Sequence, residues 1–373
     1  MRGAFKIAGI QGISLYIHWT FLFLVGWVLL VNMQAGNSVE QMVWSLLFIA
    51  AVFVCVALHE FGHALTAARF GIKAKNIVLL PIGGIASIEK FPDNPRQELA
   101  ISIAGPLVNI IIALLLLPFI QPYTSFFNRP ADISITHGHD FIYNLHNVNL
   151  GLALFNLIPA FPMDGGRILR ALIGFKTNYV RATSIAAAIG KIIAMLFIAV
   201  GIMLFNFLLA LIGIFIIFSA SMEEYYLRLK ALVKGIKLNE VLMYDYNSLQ
   251  AASTVKEAAD VLINNHSKYF IVMDAVTPVG TVNRIDIVKA MADMSYDLPV
   301  KNMVKENLDC LDGNTPVEEV LEKLAANDER IFPVMENGQF KGVVNFNHII
   351  EYLLIHQHDP KESNRVKSLV GLL

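Results

Sequence analysis

Residues 43–63 read VWSLLFIAAVFVCVALHEFGH, an apolar run that ends in two histidines four positions apart. Residues four apart lie on the same face of an α-helix, so His59 and His63 can direct their rings at one metal ion. Glu60 lies beside them, where it can hold a water molecule rather than the metal itself. An ionisable cluster on a membrane helix costs free energy in hydrocarbon and therefore indicates a functional site.

The spacing His-Glu-x-x-His is typical of zinc peptidases, in which two imidazoles bind the metal and the carboxylate acts as a general base. A simpler interpretation places these residues at the helix end, in the water of the headgroup layer, without a metal. Cys55 lies one turn before His59 on the same face. We expect it to be a buried free cysteine, because a ligand two turns from His63 is poorly placed to share its ion.

The composition of the 373-residue chain places much of it in a membrane. Only 16% of the residues are charged, whereas soluble domains carry about 25%. A formal net charge of −1 argues against nucleic acid as a partner, because binding phosphates needs a surplus of basic residues. The apolar character begins near residue 13 and stops near residue 222. We therefore expect a membrane-embedded domain over 1–224, a linker over 225–237 and a soluble part beyond it.

About six membrane spans are predicted, and the Lys and Arg residues between them place both termini in the cytoplasm. Residues 78–88 are apolar but too short to cross, and Pro81, Gly83 and Gly84 interrupt them. This segment is predicted to be a re-entrant or interfacial loop, since non-helical backbone at that depth must line a cavity or be buried. An unpaired edge there could accept an extended peptide by strand addition, or the loop could have no function. The predicted spans are residues 14–31, 42–63, 99–120, 141–158, 184–204 and 207–222.

The fourth span carries polar residues that need partners in lipid. Asn149 and Asn156 are seven positions apart and share one helix face, which should therefore look at a polar cavity. The span ends at Pro159, and Asp164 follows shortly after it. Asp164 either caps a short helix over 165–174 or supplies an oxygen ligand to a zinc held by two histidines. The residue pattern alone leaves both roles open.

Residues 238–357 contain an internal repeat with an offset of 62 positions. Phe270-Ile-Val272 corresponds to Phe332-Pro-Val334, and Gly280-Thr-Val-Asn283 corresponds to Gly342-Val-Val-Asn345. Each unit is predicted to contain a strand, a helix, two strands and a second helix, so two units would form one compact α/β module. The predicted units are 238–295 and 296–357, with a tail over 358–373.

The motifs of the membrane part resemble the site-2 protease family of intramembrane zinc metalloproteases, peptidase family M50. The resemblance rests on His59-Glu-Phe-Gly-His63, on Gly83-Gly84 in a short segment, and on residues 156–167, NLIPAFPMDGGR. Met163 stands where the family commonly has Leu, a change that conserves volume. The repeats resemble a pair of CBS units, and six spans followed by a CBS pair are similar to the sporulation-type branch of the family.

This resemblance implies an α-helical polytopic membrane domain with a re-entrant loop, followed by a soluble α/β CBS-pair domain, in the inner membrane of a cell. It implies zinc held by His59, His63 and Asp164, with Glu60 as the general base that hydrolyses a peptide bond. The implied substrate is a transmembrane segment of a single-span protein in the lipid bilayer. The CBS pair is expected to modulate this cleavage.

Further residues are expected to contact the substrate. Asn149 is the candidate for binding the substrate backbone or the developing oxyanion, and Asn156 is a weaker one. A helix hides its carbonyls in its own hydrogen bonds, so a transmembrane substrate must be unwound before cleavage. Gly83 and Gly84 are placed to hold it extended.

CBS pairs in other proteins often bind adenine nucleotides, with an aspartate on the ribose. Asp286 fits that pattern in the first unit, although Asn283 stands where Ser or Thr is usual. His348 occupies the equivalent position in the second unit. A regulatory module without a ligand, or one that forms a homo-oligomer, explains these residues equally well.

A metal-ion transporter or channel gated by the CBS pair is the main alternative function. It explains the spans, the polar residues in lipid and the CBS units. It explains Glu60 and the two glycines poorly, and it predicts several carboxylates along a path across the membrane. Apart from Glu60 and Asp164, the predicted spans and their ends carry almost none. A catalytically silent scaffold is disfavoured because every expected catalytic residue is present.

Overall fold

The computed structural model describes residues 3–10, 12–72, 74–81, 83–88, 94–120, 138–263, 265, 267–304, 309–326 and 330–356. The chain divides into two compact units, Met1–Glu224 and Tyr225–Leu373. Apolar helices dominate the first unit, and the second contains two small mixed sheets. The predicted tail over 358–373 lies outside the described residues.

A four-stranded sheet packs against the helix that carries the two histidines. Ile13, Ile77 and Leu79 of the sheet share one buried cluster with Ala57 and Phe61 of that helix. The two central strands run parallel, and each outer strand pairs antiparallel with its neighbour. In sheet order, the strands are β1 (Ala4–Ile10), β2 (Ile13–His18), β3 (Ala74–Leu80) and β4 (Gly83–Ile88).

This sheet corrects two predictions. The first span does not begin at Ser14, because residues 14–18 belong to β2. Leu15 and Ile17 alternate along this strand and pack onto the buried cluster, while the backbone pairs with β1 on one side and β3 on the other. The segment over 78–88 is non-helical as predicted, but it forms the end of β3 and all of β4 rather than a loop. Its Val and Ile residues favour this paired backbone.

The helices of the first unit confirm a polytopic membrane protein. Among the described residues, four helices are long and apolar enough to cross a membrane: α2, α3 with its short extension to Phe119, α6 and α7. The two other predicted spans correspond to α1, which is short because the sheet takes residues 14–18, and α4, whose polar residues lower its hydropathy. The helices are α1 (Phe21–Gln34), α2 (Val39–Arg69), α3 (Pro95–Leu116), α4 (Gly138–Asn156), α5 (Asp164–Gly174), α6 (Tyr179–Met203) and α7 (Phe207–Leu232).

The second unit contains the predicted repeat. Its two three-stranded sheets have the orders β5-β6-β7 and β10-β9-β8, and each half has the order strand, helix, strand, strand, helix. Val255 and Val317 begin equivalent helices, and Phe270 and Phe332 are buried in equivalent strands. The elements are β5 (Ser248–Gln250), α8 (Val255–Ile263), β6 (Tyr269–Asp274), β7 (Thr277–Asn283), α9 (Arg284–Ala292), β8 (Leu311–Asp312), α10 (Val317–Ala325), β9 (Phe332–Glu336), β10 (Gln339–Val344) and α11 (Phe346–His356).

Candidate active site

The structure brings His59, His63 and Asp164 together. The two histidines lie one turn apart in the last third of α2 and are both buried. Their Nε2 atoms are 3.1 Å apart, and Oδ2 of Asp164 lies 3.2 Å from that of His59 and 3.1 Å from that of His63. The three side chains therefore form a group in which all ligand atoms lie within 4.8 Å of one another.

Gly105 of α3 keeps space open at the histidine nitrogens. A Cβ at this position would lie 2.2 Å from Nε2 of His63 and 2.7 Å from Nε2 of His59. Any side chain would thus fill the volume in which the ring nitrogens converge. Two imidazoles and one carboxylate are the ligand set of many catalytic zinc sites, which leave a fourth position open. The residues present fit a catalytic zinc ion.

Asp164 is suited to bind a cation. Burial raises the pKa of its carboxyl, but the hydrogen bonds of His59 and His63 outweigh this effect and leave the pKa below its usual range. The helix-capping role considered for Asp164 is wrong, because Met163 is the N-cap of α5 and makes no side-chain capping bond. Asp164 is instead the first residue of the helix, and its carboxylate is directed at the histidines.

Two glycines bring the start of α5 into close contact with the turn that precedes it. A Cβ on Gly165 would lie 2.2 Å from the carbonyl oxygen of Ile158, and one on Gly166 would lie 2.7 Å from the backbone of Ala160. Side chains at these positions would push Asp164 away from the histidines. Close packing therefore explains the two glycines of the Asp-Gly-Gly sequence.

The outer hydrogen bonds of the histidine rings end on α3. Nδ1 of His63 donates to the carbonyl oxygen of Ile101 at 2.7 Å, and Nδ1 of His59 lies 2.5 Å from Oδ1 of Asn109. With Gly105 between them, these residues follow one another at intervals of four along the helix face that packs on α2. Such partners fix the ring orientation of metal-binding histidines.

Asn109 was missed by the sequence interpretation, which identified no candidate residue in the span over 99–120. The signal was present, since Asn109 is a buried amide in an apolar span and Asn149 was selected for that reason. Asn149 is fully buried, and its Oδ1 accepts a hydrogen bond from Nδ2 of Asn109 at 2.9 Å. Asn156 is half-buried and donates to the carbonyl of Leu152.

Cys55 is buried and free, as expected, and it is not a member of the candidate metal-binding group. Its Sγ lies 3.4 Å from Nδ2 of Asn149. It therefore belongs to the polar surroundings of the site.

Glu60 lies beside strand β4. A Cβ on Gly84 would be 2.7 Å from Cγ of Glu60 and 3.3 Å from its Oε1. Gly83 begins the strand with a φ of 139°, a conformation that favours glycine. In the order of the described strands, β4 is the last and pairs with β3. The structure thus places the sheet edge directly against the predicted general base.

A buried ion cluster that the sequence interpretation missed anchors α5. Arg170 is 1% exposed. Its Nε donates to Oε1 of Glu98 on α3 at 2.7 Å, and its Nη1 lies 2.6 Å from Oε1 of Glu223 on α7. The guanidinium also lies over the rings of Phe161 and Tyr179. This cluster fixes the helix that carries Asp164.

The predicted nucleotide contact lies in the second unit. Asp286 is in the first turn of α9, and Asn283 caps that helix through a hydrogen bond from the backbone of Ile285. In the second repeat, Asn345 accepts a hydrogen bond from the backbone of His348, three residues further on. Helix capping therefore explains both asparagines, including Asn283, which stands where Ser or Thr was expected.

Comparisons with known proteins identify the family of this chain. The family model of peptidase family M50 matches residues 47–146 and 128–197, and that of the CBS domain matches residues 298–355. A zinc metalloprotease of Methanocaldococcus jannaschii is 34% identical over 355 residues, which cover 95% of this chain and 97% of that protein. Stage IV sporulation protein FB of Bacillus subtilis is 31% identical over 133 residues, covering 35% of this chain and 42% of that protein.

A solved structure, the site-2 protease from Methanocaldococcus jannaschii, is 39% identical. The match covers 59% of this chain and 95% of that one, with a TM-score of 0.42. The match to the family model of peptidase family M50 and the similarity to the Methanocaldococcus jannaschii zinc metalloprotease favour a protease over a transporter or channel. The chain is a multi-pass membrane zinc metalloprotease, and it belongs to peptidase family M50, the site-2 proteases, with a C-terminal CBS domain region.

Proposed function

We propose that this protease cleaves transmembrane segments of single-span membrane proteins, with zinc on His59, His63 and Asp164. The observation that carries the proposal is the convergence of these three ligands around the space that Gly105 leaves open. Glu60 is next to His59 in the sequence and next to the edge strand in space. One group of residues can therefore bind metal, activate water and meet a peptide.

The histidine rings are prepared for metal binding. Because Nδ1 of each ring is engaged by a hydrogen-bond acceptor, each Nε2 keeps a lone pair for the ion. Zinc, when bound, polarises the scissile carbonyl and lowers the pKa of water towards neutrality. Glu60 accepts the proton of the attacking water and returns it to the leaving amine. Asp164 balances the charge of the cation.

Strand β4 supports an extended mode of substrate binding. A peptide that adds to this sheet edge gains backbone hydrogen bonds in place of those it loses on unwinding. Gly84 has no side chain, so the peptide backbone can approach Glu60 closely. Gly83 is the second glycine proposed for this contact. Asn156 stays a prediction as a substrate contact.

The second unit is proposed to be a cytosolic CBS pair over 238–357 that modulates cleavage and serves as a homo-oligomer contact. Asp286 is its proposed contact to the ribose of an adenine nucleotide. With residues 225–237 as the linker and 1–224 as the protease domain, this placement puts both termini on the cytoplasmic side of the inner membrane. The excess of Lys and Arg in the loops predicted to be cytoplasmic supports it.

The test compares the wild type with Glu60→Gln, each co-expressed in membranes with a tagged panel of single-span membrane proteins. Zinc is measured on both purified proteins. We expect zinc in both and an intramembrane cleavage product from the wild type alone. Glu40→Gln is the matched control, since Glu40 is an exposed residue in the first turn of the same helix. Product from Glu60→Gln would contradict the general-base role, and absence of zinc from the wild type would contradict the site.

A further inference from the structure

His63 and His59 are oriented by two different kinds of acceptor. His63 donates to the carbonyl oxygen of Ile101, an atom that can only accept. His59 faces the side-chain amide of Asn109, which presents an acceptor or a donor depending on its orientation. A donor at this position would move the His59 proton to Nε2, the atom that faces Asp164. The lone pair that a metal needs would then be lost.

A second buried amide sets the orientation of Asn109. Its Nδ2 donates to Oδ1 of Asn149 at 2.9 Å, and Nδ2 of Asn149 donates in turn to the carbonyl oxygen of Leu145 at 2.8 Å. Because the carbonyl of Leu145 can only accept, Asn149 must direct its nitrogen there and its oxygen at Asn109. Asn109 must then direct its oxygen at His59. The carbonyl oxygen of Leu145 therefore fixes the direction of every hydrogen bond in this series. The last of these bonds determines which nitrogen of His59 carries the proton.

We propose that Asn149, acting through Asn109, is a positioning residue that keeps His59 in its metal-binding tautomer. Both amides are fully buried, so solvent does not replace either partner. If Asn109 were rotated, it would place a donor against a donor or an acceptor against an acceptor within this series of hydrogen bonds. Such unmatched buried polar groups disfavour the wrong orientation. This role differs from the substrate contact expected for Asn149 from the sequence, because all the hydrogen bonds described here are made inside the protein.

The inference rests on the proposed metal site, so zinc affinity of the full-length chain in detergent is measured first, by competition with a chelator. Asn149→Ala frees the amide of Asn109 to rotate, and we expect zinc affinity to fall roughly 10- to 100-fold, as for other outer partners of metal ligands. Asn149→Asp in its neutral form offers a carbonyl to Asn109 and a hydroxyl to Leu145. Burial favours that neutral form, so zinc affinity should return close to the wild-type value.

Asn32→Ala is the matched control. Asn32 is also buried, and its Nδ2 donates to the carbonyl of the residue four positions earlier, Val28, at 2.9 Å. Its Oδ1 accepts from Asn37 and Ser45 rather than from a residue that leads to a histidine. We expect its loss to leave zinc affinity unchanged. The absorption bands of the Co²⁺-loaded chain provide a second readout, and they should shift in Asn149→Ala but not in Asn32→Ala.

Equal zinc affinity and equal Co²⁺ spectra in the wild type and Asn149→Ala would overturn the inference. If KM alone rose in Asn149→Ala, the result would indicate that Asn149 contacts the substrate. Absence of zinc from the wild type would instead overturn the proposed function, so the two failures are distinguishable. If Asn149→Ala does not fold, Asn109→Leu and Asn109→Asp decide the question, since the aspartate keeps an acceptor for His59 and the leucine does not. Equal zinc affinity in these two variants would also overturn the inference.

Discussion

The proposed metal site is built from two sides that are held by different forces. On the α2–α3 side, His59 and His63 are fixed by neutral hydrogen bonds and by the absence of a side chain at Gly105. On the α5 side, Asp164 belongs to a short helix that a buried ion cluster around Arg170 ties to its neighbours. The stability of the neutral side depends on shape and on the direction of its hydrogen bonds. The stability of the charged side depends on each buried charge being compensated by an opposite charge and by hydrogen bonds.

Removing Arg170 should have the largest effect, because it leaves Glu98 as a fully buried charge without its partner. Arg170→Met is expected to cost about 3–5 kcal/mol of stability, measured as the free energy of unfolding in detergent. Arg181→Met replaces an exposed arginine of α6 and serves as the control. The double variant Arg170→Met/Glu98→Gln removes both charges and should recover much of the loss. If it were no more stable than Arg170→Met, the uncompensated charge would not be the cause.

Gly105→Ala tests the opposite side of the site. Its Cβ would lie 2.2 Å from Nε2 of His63, so the ring must move away from the metal position. We expect a loss of zinc affinity at least as large as the roughly 10- to 100-fold cost of removing an outer partner. Gly151→Ala is the control, since a Cβ there meets nothing within 4 Å. Zinc affinity that is equal in both variants would show that Gly105 does not keep the site open.

The two sides also differ in how far the sequence predicted them. His59, Glu60 and His63 follow from a spacing within one helical turn, and the Asp-Gly-Gly sequence around Asp164 is carried by a local motif. The partners that orient the histidines are 38 and 50 positions away, on the face of α3 that meets α2. Nothing in the local pattern identifies which carbonyl of α3 meets a histidine, so Ile101 could not be predicted.

The ion cluster is still less visible in the sequence. Arg170 pairs with residues 72 and 53 positions away, and each of them alone looks like a charge at the end of a span. The start of the first predicted span was wrong for a related reason. Residues 14–18 are apolar enough for a span, and pairing with distant β3 makes them a strand. Hydropathy reports burial in an apolar setting, but it does not distinguish lipid from a sheet.

Gly84→Ala sharpens the comparison because it changes strand β4, the sheet edge proposed to bind the peptide. It leaves the α2–α3 side and the α5 side of the proposed metal site intact. The added Cβ would press on Cγ of Glu60, and we expect cleavage to fall by up to roughly 100-fold, the cost of a misplaced catalytic group. Zinc affinity should be retained, because Glu60 is not proposed as a ligand. Gly26→Ala on α1 meets open space and is the control. Loss of zinc from Gly84→Ala would mean that the strand supports the metal rather than the base.

The smallest effect is expected in the second unit, where the two repeats offer their own comparison. Asp286 and His348 occupy equivalent first turns of α9 and α11, but only an aspartate can accept hydrogen bonds from both ribose hydroxyls. If ATP or AMP binds the full-length chain, Asp286→Asn should lower the affinity for this nucleotide about tenfold, as expected for loss of a charge-assisted hydrogen bond. His348→Ala should leave it unchanged, and both variants should keep zinc, which ties the measured change to the nucleotide.

An equal loss of nucleotide affinity in Asp286→Asn and His348→Ala would indicate that the two repeats share one nucleotide, rather than that the first repeat alone holds it. Absence of binding by the wild type would leave the CBS pair as a regulatory or dimerising module, and the helix caps at Asn283 and Asn345 would then account for the repeated motif by themselves. Comparison of the two repeats thus distinguishes residues with a structural role, the capping asparagines, from a residue proposed to contact a ligand, Asp286. A capping asparagine recurs in both repeats because both helices need it, whereas an aspartate that serves a ligand is needed only where the ligand binds.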